Sequence, residues 1–324
     1  MGVIEVDRAR ARGPRLIASR PWIDPVLDEA VKALAHGYLE PALPALVGSR
    51  ADPELRALRV EALGRAAVGL TEGIEALLAR DPANPELCLW LGRARVEEAW
   101  TLKPDVRARA VQAGRIRLFH QAMESARGPL LTAARVMPYD PAPWVCLMWL
   151  ALGLEASRQE KDSLWEEASG RHRGLYAAHA ARLVTLSPGW GGTSHEMFDF
   201  ARATLSWAPS GDPIAALLPL AYFEHIAGEG AGRTRLWYSY EVQRELTLAA
   251  GRWNGSRAAQ PHPRAVEAHN AFGAAFYLAD MRRPARGHLT RTAGRFSVLP
   301  WSHLGDPGKE FRRACGRLNV VTPG

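Results

Sequence analysis

Asp140-Pro141-Ala142-Pro143-Trp144-Val145-Cys146-Leu147-Met148-Trp149-Leu150-Ala151-Leu152-Gly153-Leu154 joins an acid–proline opening to a stretch that is apolar nearly all round. A short polar residue at the N-cap accepts a hydrogen bond from an orphan backbone N–H. Proline at the first helical position lacks the N–H that would otherwise go unpaired. The opening therefore predicts a helix start, and the all-round apolar surface predicts a helix buried between neighbours.

The same signal recurs at Asp24-Pro25, Asp52-Pro53, Asp81-Pro82, Asn84-Pro85, Asp212-Pro213 and Asp306-Pro307. Thr193-Ser194-His195-Glu196 adds a start with capping-box spacing. Between these openings apolar residues recur every three or four positions: Leu87, Trp90, Leu91 and Ala94; Val111, Leu118, Phe119, Ala122 and Ala126; Tyr176, Ala180, Leu183 and Val184; Met197, Ala201 and Leu205. Pro219 interrupts the helix begun at Pro213 and predicts a kink. Alternating Val/Ile/Thr runs bounded by Asn-Gly or Asp-Gly turns are absent, so no sheet is expected.

Four segments end a basic, apolar helix on proline: 76–82, 132–138, 181–188 and 293–300. Asn84-Pro85-Glu86-Leu87-Cys88-Leu89-Trp90 also aligns with Ala142-Pro143-Trp144-Val145-Cys146-Leu147-Met148. The period is not strict, because successive prolines 82, 138 and 188 lie 56 and 50 residues apart. Degenerate repeats of this length, rich in helix–turn–helix content, predict an all-α, solenoid-like array of tetratricopeptide-like hairpins. An irregular helical bundle is the rival arrangement. The expected organisation is a basic flexible segment over 1–20, one helical domain over 21–318 with a basic part at 281–318, and a tail over 319–324.

Ala181-Arg182-Leu183-Val184-Thr185-Leu186-Ser187-Pro188-Gly189-Trp190-Gly191-Gly192-Thr193-Ser194-His195-Glu196-Met197, followed by Phe200-Ala201-Arg202, resembles a helix–loop–helix of uncharacterised bacterial tetratricopeptide-like proteins. Those proteins share a domain of unknown function with the pattern P-x-W-G-G-S-x-E-M…F-A-R. Pro188, Trp190, Gly191, Gly192, Glu196, Met197, Phe200, Ala201 and Arg202 match it, with Thr193 as an extra residue before Ser194. The likeness covers about twenty residues closely. It implies a helical-repeat fold and no established chemistry.

The net charge is +7, carried by 37 arginines and only four lysines, Lys32, Lys103, Lys161 and Lys309. Nucleotide bias in a GC-rich bacterial genome accounts for such an excess of arginine, so the high pI alone does not define a partner. No uncharged apolar run reaches the ~18 residues of a membrane span. The N-terminus has early acids and no apolar core of a secretory signal. Cys88, Cys146 and Cys315 are odd in number and lie in apolar segments, which predicts reduced, buried thiols and a cytoplasmic protein.

Catalytic and metal motifs are missing or incomplete. His195-Glu196-Met197-Phe198-Asp199 begins like a zinc-protease motif but carries Asp199 where the second histidine would stand. Gly228-Glu229-Gly230-Ala231-Gly232-Arg233-Thr234 lacks the lysine and spacing of a phosphate loop and reads as a connector. No Gly-x-Ser-x-Gly elbow occurs. His179, His225 and His269 lie on or beside apolar stripes, where a satisfied core histidine is commoner than a ligand or proton relay. No enzyme, cofactor or metal is therefore expected.

Binding is the expected function. In the sealed loop around Trp190 the glycines permit a tight turn while the indole folds against the following helix, and Trp190, His195 and Glu196 are candidate partner contacts. Trp237 and Tyr240, in Leu236-Trp237-Tyr238-Ser239-Tyr240, are candidate aromatic anchors, as is Trp253. Residues 281–318 carry a net +7, equal to that of the whole chain, through Arg282, Arg283, Arg286, Arg291, Arg295, Lys309, Arg312, Arg313 and Arg317. Arg282/Arg286 and Arg291/Arg295 have the spacing of paired cations on one helical face. A second basic run is Arg8-Ala9-Arg10-Ala11-Arg12-Gly13-Pro14-Arg15. A scaffold or adaptor holding a peptide or partner helix is the first reading. Nucleic-acid binding through the basic end is the alternative, although aromatic interleaving is thin, with Phe296, Trp301 and Phe311. An all-helical enzyme with a buried His/Glu site comes third.

Overall fold

A computed structural model describes residues 20–103, 112–229, 231–254 and 261–320. The basic run at 8–15, Val111, Gly230 and the end at 321–324 lie outside the described residues. Every regular element among the described residues is helical, and none of these helices is long and apolar enough to cross a membrane. The described residues form two compact units, 24–208 and 209–320, the latter grouped with 20–23.

The first unit contains α1 (Pro25–Leu34), α2 (Ala42–Val47), α3 (Pro53–Ala66), α4 (Thr71–Arg80), α5 (Pro85–Leu102), α6 (Gln112–Val136), α7 (Ala142–Gly153), α8 (Arg158–Arg171), α9 (Tyr176–Thr185) and α10 (Ser194–Trp207). The polar–proline openings act as caps. Asp24, Asp52 and Asn84 each accept from a backbone N–H of the first helical turn, at 3.0–3.2 Å. Asp140 accepts from Ala142 N–H at 2.9 Å. Asp81-Pro82 is the exception: Asp81 ends α4, and its carboxylate accepts from the Asn84 side chain at 2.9 Å, which leaves Asn84-Pro85 to start α5.

α5 and α7 are buried on nearly every side, as the apolar runs predict. α5 packs against α3, α4, α6 and α7, while α7 packs against α3, α8 and α9 as well. On α6 the buried stripe is Phe119, Met123, Ala126, Leu130 and Ala133. Leu118, expected on that face, is 59% exposed because α5 meets α6 one position further round. Pro129 lies inside α6 without ending it.

Buried charge ties the helix starts together. The Arg56 guanidinium bonds Glu86 at 2.8 Å, the Leu46 carbonyl at 3.0 Å, and Asp140. Arg59 clasps Asp24 at 2.8 and 3.1 Å and donates to the Ala45 carbonyl at 2.7 Å. Glu54 accepts from Tyr176 N–H at 2.7 Å, linking α3 to α9. Desolvation offsets much of the attraction in ion pairs this deeply buried, so the pairs join the helices without adding much net stability.

The second unit contains α11 (Leu217–Glu229), α12 (Tyr240–Asn254), α13 (Ala265–Leu278), α14 (Arg282–Arg291), α15 (Val298–Trp301) and α16 (Pro307–Arg317). A 3-10 segment, Pro213–Ala216, precedes α11, so Pro219 falls in the first turn of the α-helix, where a missing N–H costs little. α13 is the central helix and packs on α11, α12, α14, α15 and α16. Phe296, Trp301 and Phe311 are buried; Phe311 stacks on Phe296 with centroids 5.7 Å apart and meets the edge of Trp301 at 5.6 Å. The Trp301 indole N–H donates to Asn270 at 2.8 Å, and Asn270 donates to the Arg295 carbonyl at 3.1 Å.

Candidate functional site

The candidate site is a cleft of about 660 Å³ in the second unit. α13 and α16 end in the same way. Asp280 and Asn319 adopt left-handed φ values of 53° and 52°. The residues after them, Met281 and Val320, donate back to the Phe276 and Cys315 carbonyls at 2.9 Å. This is a helix stop in which a left-handed residue lets the chain cap its own carbonyls.

These stops set the end of α13, the start of α14 and the end of α16 side by side. Arg282 donates to the Arg317 carbonyl at 2.8 Å, and Arg317 donates to the Tyr277 hydroxyl at 3.2 Å. Arg313 grips Glu310 at 2.8 and 2.9 Å. Tyr238, 60% exposed, joins the wall because the preceding Trp237 is drawn into the core, 4.9 Å from the Phe223 ring. The cleft thus combines two phenol rings, three guanidinium groups and the aliphatic Leu278, Leu304 and Leu318, with Asp280 and Glu310 as acidic counterweights. Arg317, in the last turn of α16, also lies where the helix dipole favours cations.

The candidate contacts separate under this geometry. Of the basic residues, Arg282, Arg313 and Arg317 line the cleft. Arg283, Arg286, Arg291 and Arg312 are exposed outside its wall. Arg291 and Arg295 do not share a helical face, since α14 stops at Arg291 and Ala293 and Gly294 turn left-handed. Trp237 is 2% exposed and forms core, whereas Tyr240 is 75% exposed.

In the first unit, Trp190, His195 and Glu196 are each committed to a different partner. Glu196 bonds Arg158 at 2.8 Å, and its N–H donates to the capping Thr193 hydroxyl at 3.1 Å. The hydrogen bond from Arg158, reinforced by Thr193, holds the Glu196 carboxyl below the usual range. His195 lies 2.9 Å from Asp199 on the surface. Trp190 meets Trp100 at the end of α5 with centroids 5.7 Å apart. Gly191 (φ 88°) is left-handed, and a Cβ on Gly192 would run into the Leu186 carbonyl. Both glycines are therefore required by the turn.

The histidines are also placed. His179 lies in the first unit, ringed by Trp165, Phe200 and Trp207, and its Nδ1–H donates to the Leu175 carbonyl at 2.9 Å. Burial lowers its pKa to about 4. In the second unit His225 lies on α11, and His269 pairs with His288, Nδ1 to Nδ1 at 3.0 Å, beneath Trp253 and Phe272. Burial and neighbouring positive charge lower both to about 3. His303 stands 3.9 Å from Glu224, beyond hydrogen-bonding reach, and burial shifts the carboxyl up and the imidazole down, each toward its neutral form. Among the described residues no three metal-ligating side chains come together.

A smaller cavity of about 380 Å³ opens where α3, α5 and α7 begin, but the Arg50 and Arg56 guanidiniums on its wall are already engaged by Glu86 and Asp140. Comparison with protein-family models, curated proteins and solved structures finds no match to this chain.

Proposed function

We propose that this chain is a non-catalytic, cytoplasmic protein-interaction protein built from tetratricopeptide-like hairpins, and that its second unit seats an acidic peptide segment. Neighbour order in the first unit supports the repeat reading. Alternate helices α1, α3, α5, α7 and α9 pack in succession, and α4, α6 and α8 fill the spaces beside them. That is the neighbour pattern of stacked hairpins. Three unpaired, buried cysteines support a reducing compartment.

The observation that carries the binding reading is the Tyr238–Tyr277 cleft with Arg282, Arg313 and Arg317 in its wall. Its volume falls within the roughly 300–1,000 Å³ of ligand sites. Tyrosine and arginine are the side chains that most often anchor interfaces. A peptide suits the cleft better than nucleic acid because Phe296, Trp301 and Phe311 are buried away from stacking on bases.

Fluorescence anisotropy with labelled Glu/Leu/Tyr-rich, neutral and Lys-rich peptides, alongside RNA and DNA at two salt concentrations, tests this. Acidic peptides should bind best, and Arg313→Glu with Arg317→Glu should weaken them at least tenfold. Equal binding of acidic and basic peptides, or nucleic-acid binding with steep salt dependence that exceeds the peptide affinity, overturns it.

A further inference from the structure

Trp100 lies in the last turn of α5, and Lys103 is the residue that caps that helix. The Trp190 ring stands nearly perpendicular to Trp100, at 82°, and Phe119 closes on Trp100 at 64° with centroids 5.5 Å apart. The corner between the two indoles already holds a cation. Lys103 Nζ lies 3.9 Å from the centre of Trp190 and 4.7 Å from that of Trp100. Both distances fall inside the ~6 Å at which an aromatic face attracts positive charge. The α5 carboxyl end adds a negative dipole on the same side.

The walls are held in place. Lys161 on α8 donates to the Trp190 carbonyl at 3.1 Å, and left-handed Gly191 turns the chain directly after the indole. Phe119 is buried, whereas Lys103 is exposed on a flexible stem. The walls are fixed and the occupant can leave.

The identity of the occupant is informative in a chain with 37 arginines and four lysines. A planar guanidinium stacks on one ring face, while two perpendicular faces suit a compact, nearly spherical charge. Although the side chain as a whole is exposed, partial desolvation of its ammonium end pushes Lys103 toward deprotonation, only partly offset by Glu155. The corner therefore holds a strongly hydrated ammonium that resists losing its water. A quaternary ammonium has the same rounded charge and much weaker hydration.

We propose that the Trp100–Trp190 corner, backed by Phe119 behind Trp100, is a binding site for a trimethylammonium group on a small molecule, and that Lys103 is a tethered occupant displaced by it. The site is in the first unit and independent of the peptide cleft.

Proton NMR of choline and tetramethylammonium with the full-length protein tests this. Ring currents should shift the trimethyl resonance upfield, with saturation transfer from tryptophan protons. Lys103→Gln should tighten choline at least tenfold by vacating the corner, and Trp190→Leu should weaken it at least tenfold. The exposed Lys103 substitution keeps the test valid should Trp190→Leu fail to fold. A trimethyllysine peptide that binds more tightly than choline would replace the small molecule with a modified protein as the source. Equal binding of the neutral isostere 3,3-dimethylbutan-1-ol, or no gain in Lys103→Gln, overturns the proposal.

Discussion

Acidification should unfold the second unit through one pair of imidazoles. His269 and His288 are buried with their Nδ1 atoms 3.0 Å apart, so one must donate and the other accept, which requires the accepting ring to be neutral and forbids charging both. Burial, then the neighbouring charge of His288 and Arg291, lowers His269 to about 3, and burial with Arg291 lowers His288 to about 3. In the unfolded chain each would titrate near ~6.5. A base with a depressed folded pKa contributes stability that is complete above the unfolded value and is lost as pH falls toward the folded one. At about pH 4.5, two units below, two imidazoles remove roughly 5 kcal/mol, the lower end of the ~5–15 kcal/mol that holds a whole domain. The assay is amide exchange read by mass spectrometry on α13 and α14 peptides, corrected for intrinsic rate, from pH 7 to 4.5. The comparison is His269→Phe/His288→Phe, which keeps ring contacts with Trp253 and Phe272 and removes both titrations. Other titrating groups, including the oppositely shifted Glu224, are common to both proteins and cancel. Parallel loss of protection in the two proteins over this window would refute the reasoning.

Two further outcomes follow from burial. Arg56→Met removes the buried cation that Glu86 and Asp140 share, leaving Glu86 only the half-exposed Arg50, and should cost about 3 kcal/mol in urea unfolding, with Glu86→Gln in the same chain recovering part of the loss; an unchanged midpoint would count against the network. Burial raises all three thiols, Cys146 and Cys315 to about 12, so a thiol-disulfide reagent at pH 8 should label none in the native protein and all three in denaturant; one fast-reacting native thiol would contradict this.

Local physics was legible in the sequence and long-range partnership was not. Asp24, Asp52, Asn84 and Asp306 read as caps because capping involves only the next three residues, and each accepts from its own helix. Asp81-Pro82 misled because two openings three residues apart compete for one helix start. On α6 the expected face held Phe119 and Ala126, which are buried, but misplaced Leu118, since the helix alone does not specify how far the side that meets α5 extends. The charged core was hidden for the same reason. Glu86 reads as a first-turn acid and Asp140 as a cap, yet both also hold Arg56 from 30 and 84 residues away. His288 carried no signal that it would face His269, and the cleft depends on Arg282 meeting the end of α16, 35 residues on.

One compositional signal pointed to a particular place. An excess of arginine makes an exposed, unengaged arginine weak evidence, because any solvated position tolerates it. The same excess makes a lysine informative where the surroundings reject a guanidinium. Lys32 is exposed beside Glu29, and Lys309 is exposed in the first turn of α16, so nothing there requires an ammonium. Lys103 and Lys161 instead meet one residue, Trp190, the first over its ring and the second through its carbonyl. Lys103 between two perpendicular indoles is accounted for by the shape of a point charge, and that shape is what the corner would recognise in a ligand.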